Sequence, residues 1–318
     1  MPRVAAVDCG TNSVRLLVAD VDPDPVTGAV RQRDVVRRME VVRLGQGVDA
    51  TGRLDPAALD RTLAAVDRYA AEIRAAGAGA VRFVATSATR DAENAADFVA
   101  GVRDRLGVEP EVVTGDVEAG LSFAGATAAL DGGSAGPFAV VDVGGGSTEV
   151  VVGTSSVTAA LSVDVGCVRL TERHLAADPP TPAQVAAARR DVAAALDRVA
   201  AAVPLGGVRT LVGVAGTVTT VAAAALDLPT YDPDAIHGSV QPVDHVVAVC
   251  ERLLAATRAE RAALPFMHPG RVDVIGAGAL VWAAVVERVA AESGVTTVVA
   301  SEHDILDGIA LSLVPAWT

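Results

Sequence analysis

The chain has 318 residues, 51% of them hydrophobic and 20% charged, which is enough to bury substantial cores and favours two domains over one. A formal net charge of −13 and only 3% aromatic residues oppose non-specific binding to nucleic acid or an anionic membrane and leave little for base-stacking platforms. The three cysteines, Cys9, Cys167 and Cys250, are far apart and odd in number, and the five histidines are scattered, which excludes a disulfide framework and a zinc spacing. Every basic side chain is an arginine. A Walker A lysine is therefore excluded, and any phosphate must be held by arginine, backbone N–H groups or a metal. The opening "MPRVAAVDCG" lacks the regions of a signal peptide and no apolar run near it could span a bilayer, so a cytoplasmic chain is expected.

In chain order, "RVAAVDC" and "SVRLLVADV" enclose Gly10-Thr11-Asn12, which predicts strand, tight turn, strand. A third strand is expected at Val35 to Leu44. Asp55-Pro56 opens a helix with Leu59, Leu63, Val66 and Ile73 on one face, and Gly77 stops it. "AVRFVATS" reads as a strand running into a turn, "NAADFVAGVRDRL" as a helix and "PEVVTG" as a strand, with a helix from Asp116 to Leu130 next. The glycine-rich "DGGSAGP", Asp131 to Pro137, is the expected junction between a first domain, 1–130, and a second, 131–318. Beyond it, "FAVVDVGGGSTEVVVG" repeats the opening theme, with Asp142 over Asp8, Gly144 over Gly10 and Ser147 over Ser13. "DPPTPAQ" caps a helix over Ala183 to Val203, "RTLVGV" is a strand entering a helix through the turn "AGT", and "VDVIGAGALVWAAVV" reads as strand, glycine turn, helix. "TTVVAS" has the composition of a buried parallel strand and precedes a last helix from His303, which is free to pack back on the first domain. The pattern is α/β, with mixed sheets flanked by helices.

The stretch "VDCGTNSVRLLV" satisfies two phosphate-binding plans. Cys9 and Arg15 have the C-x5-R spacing of phosphatases that attack with a thiolate, whereas Asp8, Gly10, Thr11 and Ser13 suit a carboxylate and a turn of backbone amides around a phosphate and its metal. The thiolate plan needs a helix N-terminus after the loop to acidify the thiol. "VRLLVADVD" reads instead as a strand, so Cys9 is expected to be a small residue in a tight turn. The amide plan has a second copy, and the two glycine turns are expected to face each other across an interdomain cleft and wrap a phosphate chain. Gly144, Gly145 and Gly146 suit such a turn because close approach of backbone to ligand leaves no room for a Cβ.

These segments resemble the exopolyphosphatase and guanosine pentaphosphate phosphohydrolase (Ppx/GppA) family in a short, two-domain form. "DCGTNSVRLLVAD" is similar to its first phosphate motif, "ATSATRDAEN" to its T-S-A-x-R motif and "TGDVEAGLSFAG" to the segment with its catalytic glutamate. "VVDVGGGSTEV" is similar to the second phosphate motif and "GCVRLTE" to a following one, and the likeness runs from Val4 through "SEHDILDGIAL". The resemblance implies two RNase H-like domains of the actin, Hsp70 and sugar-kinase superfamily, flanking an interdomain cleft. It implies a metal-dependent hydrolase that releases terminal phosphate from inorganic polyphosphate or pppGpp, with a homodimer allowed.

The same resemblance assigns residues. Glu118 stands where the family places its general base, although by position alone a carboxylate in a helix's first turn only complements the macrodipole. Asp142 and Glu149, joined by Asp8, are the implied ligands of Mg2+ or Mn2+. Thr11, Asn12, Ser13, Gly145, Gly146 and Ser147 would supply N–H and hydroxyl donors to phosphate, with Gly10 and Gly144 opening the two turns. Arg90 resembles the family arginine that grips phosphate, against the competing reading of a surface pair with Asp91. Arg15 is a further phosphate candidate unless strand alternation turns it away. One departure stands out: the family commonly pairs two acids before the alanine, and here the pair is Val117-Glu118, with Asp116 one step earlier. Longer relatives carry C-terminal helical domains, which this sequence is expected to lack; together with the acidic surface this points to short substrates. Two other functions are compatible. "VIGAGALV" resembles the glycine turn that contacts adenosine in kinases and ATPases of the superfamily, and the altered acid pair suits a non-catalytic sensor of guanosine tetraphosphate or polyphosphate.

Overall fold

The computed structural model describes residues 1–23, 30–130 and 134–314. They fall into two units, Met1–Ala129 with Asp304–Thr318, and Leu130–His303. The division lies beside the glycine-rich stretch expected as a junction, of which 131–133 lie outside the described residues.

In unit 1, β1 (Arg3–Cys9) and β2 (Ser13–Pro23) are antiparallel with Cys9 opposite Val14, and β3 (Val30–Val41) continues the meander. The third strand ends at Val41 and not at Leu44, because the N–H groups of Val42 and Arg43 leave the ladder for the carbonyl of Asn12. After α1 (Val48–Thr51), α2 (Pro56–Ala76) has the limits its sequence predicts. Asp55 accepts the Ala58 N–H as N-cap, Pro56 occupies the first helical position, and Gly77 closes the helix at φ 72°. β4 (Ala80–Ala85) then lies parallel to β1, followed by α3 (Ser87–Arg90), α4 (Ala95–Leu106), β5 (Glu111–Val112) and α5 (Gly115–Ala128). The sheet order is β3-β2-β1-β4-β5.

Unit 2 repeats the plan. β6 (Phe138–Val143), β7 (Thr148–Gly153) and β8 (Val157–Val163) form the antiparallel meander, followed by α6 (Cys167–His174) and α7 (Pro182–Ala202). A capping box of Thr181 and Gln184 starts α7, as the proline-rich loop predicts. β9 (Thr210–Val214) lies parallel to β6, then come α8 (Ala215–Ala225), α9 (Pro233–Ile236), β10 (Val240–Pro242), α10 (Val243–Ala255), α11 (Arg258–Ala262), α12 (Ile275–Ser293) and β11 (Thr297–Ala300). The sheet order β10-β11-β9-β6-β7-β8 places β6 where β1 stands in unit 1, with the meander on one side and parallel strands on the other. β11 is the parallel strand expected from "TTVVAS". The chain then returns to unit 1 as α13 (Ile305–Leu311).

The strand expected within "VDVI" does not form: Val272 to Val274 are turn residues, and "IGAGALV" is the first two turns of α12. Short apolar runs do not distinguish strand from buried helix, and α12 is apolar on nearly all sides. Its glycines admit neighbours. A Cβ on Gly276 would lie 2.5 Å from the Arg261 guanidinium, and one on Gly278 2.7 Å from Thr217.

Alternation decides what each face of the unit 1 sheet carries. Ala5, Val7, Val14 and Leu16 pack with side chains of α2 and α4, while Val4, Ala6, Leu17 and Ala19 pack with α13. Asp8 and Arg15 have the parity of the second set and so lie on the α13 face. Among the described residues no helix is long and apolar enough to cross a membrane.

Candidate active site

The two glycine turns have the same internal bond: Gly10 N–H donates to Ser13 O at 3.0 Å, and Gly144 N–H to Ser147 O at 3.1 Å. Their carbonyls are held from behind. In the first turn Thr11 O accepts from Gly45 N–H (2.8 Å), and Asn12 O accepts from Val42 and Arg43 (3.1 and 2.9 Å). In the second, Gly144 O accepts from Cys167 N–H (2.9 Å), Gly145 O from Val168 and Arg169 N–H (2.9 and 3.1 Å), and Gly146 O from the Arg169 side chain (2.7 Å). A trans peptide carries its N–H opposite its C=O. The N–H groups of Asn12 and Ser13 in one turn, and of Gly145, Gly146 and Ser147 in the other, therefore point away from these supports. Successive N–H groups on one side of a turn form an anion-binding concavity.

The residues that create this arrangement have no role assigned by the sequence, although Gly166 and Arg169 lie in the quoted "GCVRLTE". Gly45 and Gly166 pass directly behind the turns: a Cβ on Gly45 would lie 2.4 Å from the Thr11 methyl, and one on Gly166 2.5 Å from Gly145 O. The first free N–H groups of α6 are spent on the second turn, so the positive end of that short helix lies behind it. Arg169 belongs to the quoted "GCVRLTE", but its clamp on Gly146 O crosses 23 positions and leaves no local signal. In the first turn Thr11 is buried with its hydroxyl 2.9 Å from that of Ser87, and Asn12 Oδ1 is buried without a hydrogen-bond partner among the described residues.

Cys9 ends β1 and is fully buried, a strand residue and not one of the turn. The element after the turn is the strand β2, not the helix that the thiolate plan requires. Burial, reinforced by the Asp8 carboxylate, pushes its thiol well above the ordinary range. The thiolate plan fails on these grounds. Cys9→Ala is expected to keep activity within about threefold of wild type, and iodoacetamide to leave the native enzyme active, because a buried neutral thiol is neither nucleophile nor target. Loss of turnover on alkylation of Cys9 alone would contradict this.

The repeat places Arg15 and Glu149 at equivalent positions, and there the two copies diverge. Asp8 lies opposite Arg15, and Asp142 lies opposite Glu149. In the first pair Arg15 Nε and Nη2 donate to Asp8 Oδ2 at 2.9 and 2.7 Å, and Nη1 bonds Asp304 Oδ2. Burial pushes Asp8 upward against the opposing pull of Arg15; burial also works against the Arg15 charge, but Asp304 and Asp8 outweigh it and hold the guanidinium protonated. In the second pair two buried carboxylates share one face of the hairpin, and directly opposed side chains stand about 5 Å apart at Cβ. Ser162 donates to Glu149 Oε1 at 2.6 Å. Like charges placed so oppose each other, and a divalent cation converts that repulsion to attraction. Among the described residues no cluster of three or more metal-binding side chains occurs.

Glu118 lies in the first turn of α5, capped by the Thr114 hydroxyl, and is 7% exposed. Its Oε2 accepts from Arg90 Nη1 at 3.0 Å, and the same nitrogen donates to Val113 O at 3.0 Å. Arg90 reaches it from the end of α3, whose start is fixed to the first hairpin strand by Thr86 N–H to Cys9 O (3.1 Å). Arg90 is thus the partner of a buried acid, which the competing surface-pair reading with Asp91 does not describe. Val117, which precedes Glu118, is 43% exposed and points to solvent. Within unit 1 the structure thus gathers Asp8, the Gly10–Ser13 turn, Arg15, Arg90 and Glu118; unit 2 holds Asp142, the Gly144–Ser147 turn and Glu149.

Known proteins are similar to this chain over most of its length. Residues 26–313 match the model of the Ppx/GppA phosphatase family. The chain is 51% identical over 319 residues to Exopolyphosphatase 2 of Mycobacterium tuberculosis, covering 98% of this chain and 99% of that protein. Among solved structures, an exopolyphosphatase-like protein superposes with a TM-score of 0.92 at 44% identity, over 98% of this chain and 97% of its own. The Aquifex aeolicus Ppx/GppA protein gives a TM-score of 0.80 at 29% identity, with 98% and 97% covered. Its two RNase H-like units and its near full-length likeness to these proteins establish that the chain belongs to the Ppx/GppA phosphatase family.

Proposed function

We propose that this chain is an exopolyphosphatase, a hydrolase that removes the terminal phosphate from inorganic polyphosphate, with pppGpp as a second substrate of the same chemistry. The observation that carries the reading is the pair of turns in which the carbonyls of Thr11, Asn12, Gly144, Gly145 and Gly146 are tied from behind, so that the N–H groups opposite them remain for phosphate oxygens. Fixed donors of this kind neutralise charge that develops on the transferred group without reorganising.

The chemistry asks for a water in line with the leaving oxygen. Glu118, oriented by Arg90, takes a proton from that water as its oxygen bonds to the terminal phosphorus; the P–O bond to the next phosphate breaks, and the shortened chain leaves with the electron pair. Arg90 makes both of its bonds through Nη1, so Nη2 and Nε face no acceptor among the described residues and suit a phosphate oxygen. Asp142 and Glu149 fit as holders of Mg2+ or Mn2+, which when bound supplies charge neutralisation at the phosphate oxygens. Asp142→Asn is expected to raise the Mg2+ concentration for half-maximal rate about 10- to 100-fold, and Mg2+ should protect wild type but not this variant against heat. An unchanged Mg2+ titration would remove the pair from the metal site.

The kinase or ATPase reading loses its support, since the glycines of "VIGAGALV" serve helix packing in α12. The sensor reading is not favoured beside a full-length relative named as an exopolyphosphatase. Purified protein with tripolyphosphate, pppGpp or ATP and Mg2+ tests all three: phosphate release from the first two without an acceptor is expected, whereas binding without turnover, or transfer requiring an acceptor, would overturn the proposal.

A further inference from the structure

Arg15 spends two donors, Nε and Nη2, on a single oxygen of Asp8, and its third nitrogen bonds Oδ2 of Asp304. Asp304 is itself fixed. It is the N-cap of α13, with Oδ1 accepting from Leu306 N–H (3.0 Å) and its own N–H donating to Asp307 Oδ2 (3.0 Å). Asp307 is anchored in turn, its Oδ1 accepting from Arg37 Nη2 (2.5 Å) and Gln32 Nε2 (2.6 Å) on β3. Asp304 and Asp307 are 3% and 1% exposed. A planar guanidinium held by one carboxylate can still tilt; bonded at both edges, with the Asp304 carboxylate anchored, its plane is set. In the second hairpin Glu149 occupies the place of Arg15.

We propose that Asp304 is a positioning residue: it holds Arg15, and Arg15 fixes the orientation of Asp8 beside the first phosphate turn. This rests on the reading of that turn as a phosphate site. Asp304→Asn separates the relay from the cap. Asparagine caps a helix about as well as aspartate, so α13 keeps its start, but the amide sets a donor against Arg15 Nη1.

The test measures tripolyphosphate hydrolysis in Mg2+, thermal unfolding, and the Arg15 Nε–Hε NMR signal, assigned by its loss in Arg15→Met. In Asp304→Asn we expect kcat to fall about 10- to 100-fold, KM to stay within about threefold and the unfolding midpoint to stay near wild type. In the Arg15→Met background the same substitution should cost less than about twofold, since its effect passes through Arg15. The Arg15 signal should shift and exchange faster with solvent. Wild-type kcat in Asp304→Asn, effects that multiply in the double variant, or an unmoved Arg15 signal would each overturn the proposal. A wild type without turnover whose Arg15 signal still responds would sink the phosphohydrolase reading and leave the Asp304–Arg15 linkage standing.

Discussion

Glu118→Gln is expected to lower the rate of phosphate release about 10²- to 10⁴-fold, the range for loss of a general base. The amide keeps the size of the side chain and its acceptor toward Arg90, so the fold should persist. KM should hold or fall, because Glu118 is not placed as a phosphate ligand and removing a buried negative charge cannot weaken attraction for a polyanion. A fall in kcat with KM intact separates a base from a binding residue, and circular dichroism checks the fold. A kcat near the wild-type value would remove Glu118 from the mechanism and leave its burial against Arg90 as a helix-start ion pair.

The second large effect comes from two glycines. α5 and α13 cross so closely that a Cβ on Gly125 would sit 1.9 Å from Asp304 O, and one on Gly308 2.0 Å from Leu121 O. Both obstructing atoms are backbone, so no rotamer change relieves the overlap. Alanine in a helix normally stabilises by about 1 kcal/mol over glycine. Here Gly125→Ala and Gly308→Ala should each cost about 3 kcal/mol or more, because helices must separate to admit the methyl. A fall of roughly 5–10 °C in unfolding midpoint is expected, together with lost activity, since the pair carries Glu118 and Asp304. Gly120, in the same helix with nothing within 4 Å of its Cβ position, is the control. Its change to alanine should be neutral or stabilising. Equal behaviour of all three variants would show that the crossing tolerates a wider spacing.

Much of the fold is legible where the signals are local. Asp55-Pro56 and Gly77 define α2 because caps act within a turn of the residues that make them. The doubled D-x-G turn is legible because strand alternation and glycine mark it twice. The first residues of α12 mislead because a short apolar run with glycines is equally a strand and turn or a helix packed on all sides. At the site, the sequence shows which residues open each turn but not what holds it. Gly45, Gly166 and Arg169 act from behind the turns through non-local contacts, and Arg15 finds Asp304 at a separation of 289 positions. Alternation fixes which sheet face Arg15 occupies; that the same face carries the start of α13 is a property of the returning chain.

Removal of terminal phosphate by water is read most directly from the products that wild-type protein and Mg2+ alone form from polyphosphate of a single defined length. Orthophosphate and chains one unit shorter are expected at the earliest times, in equal amounts and with no acceptor present. Internal cleavage into mid-length fragments, or intact chains after many hours with the polymer bound, would contradict a hydrolase that works from the chain end.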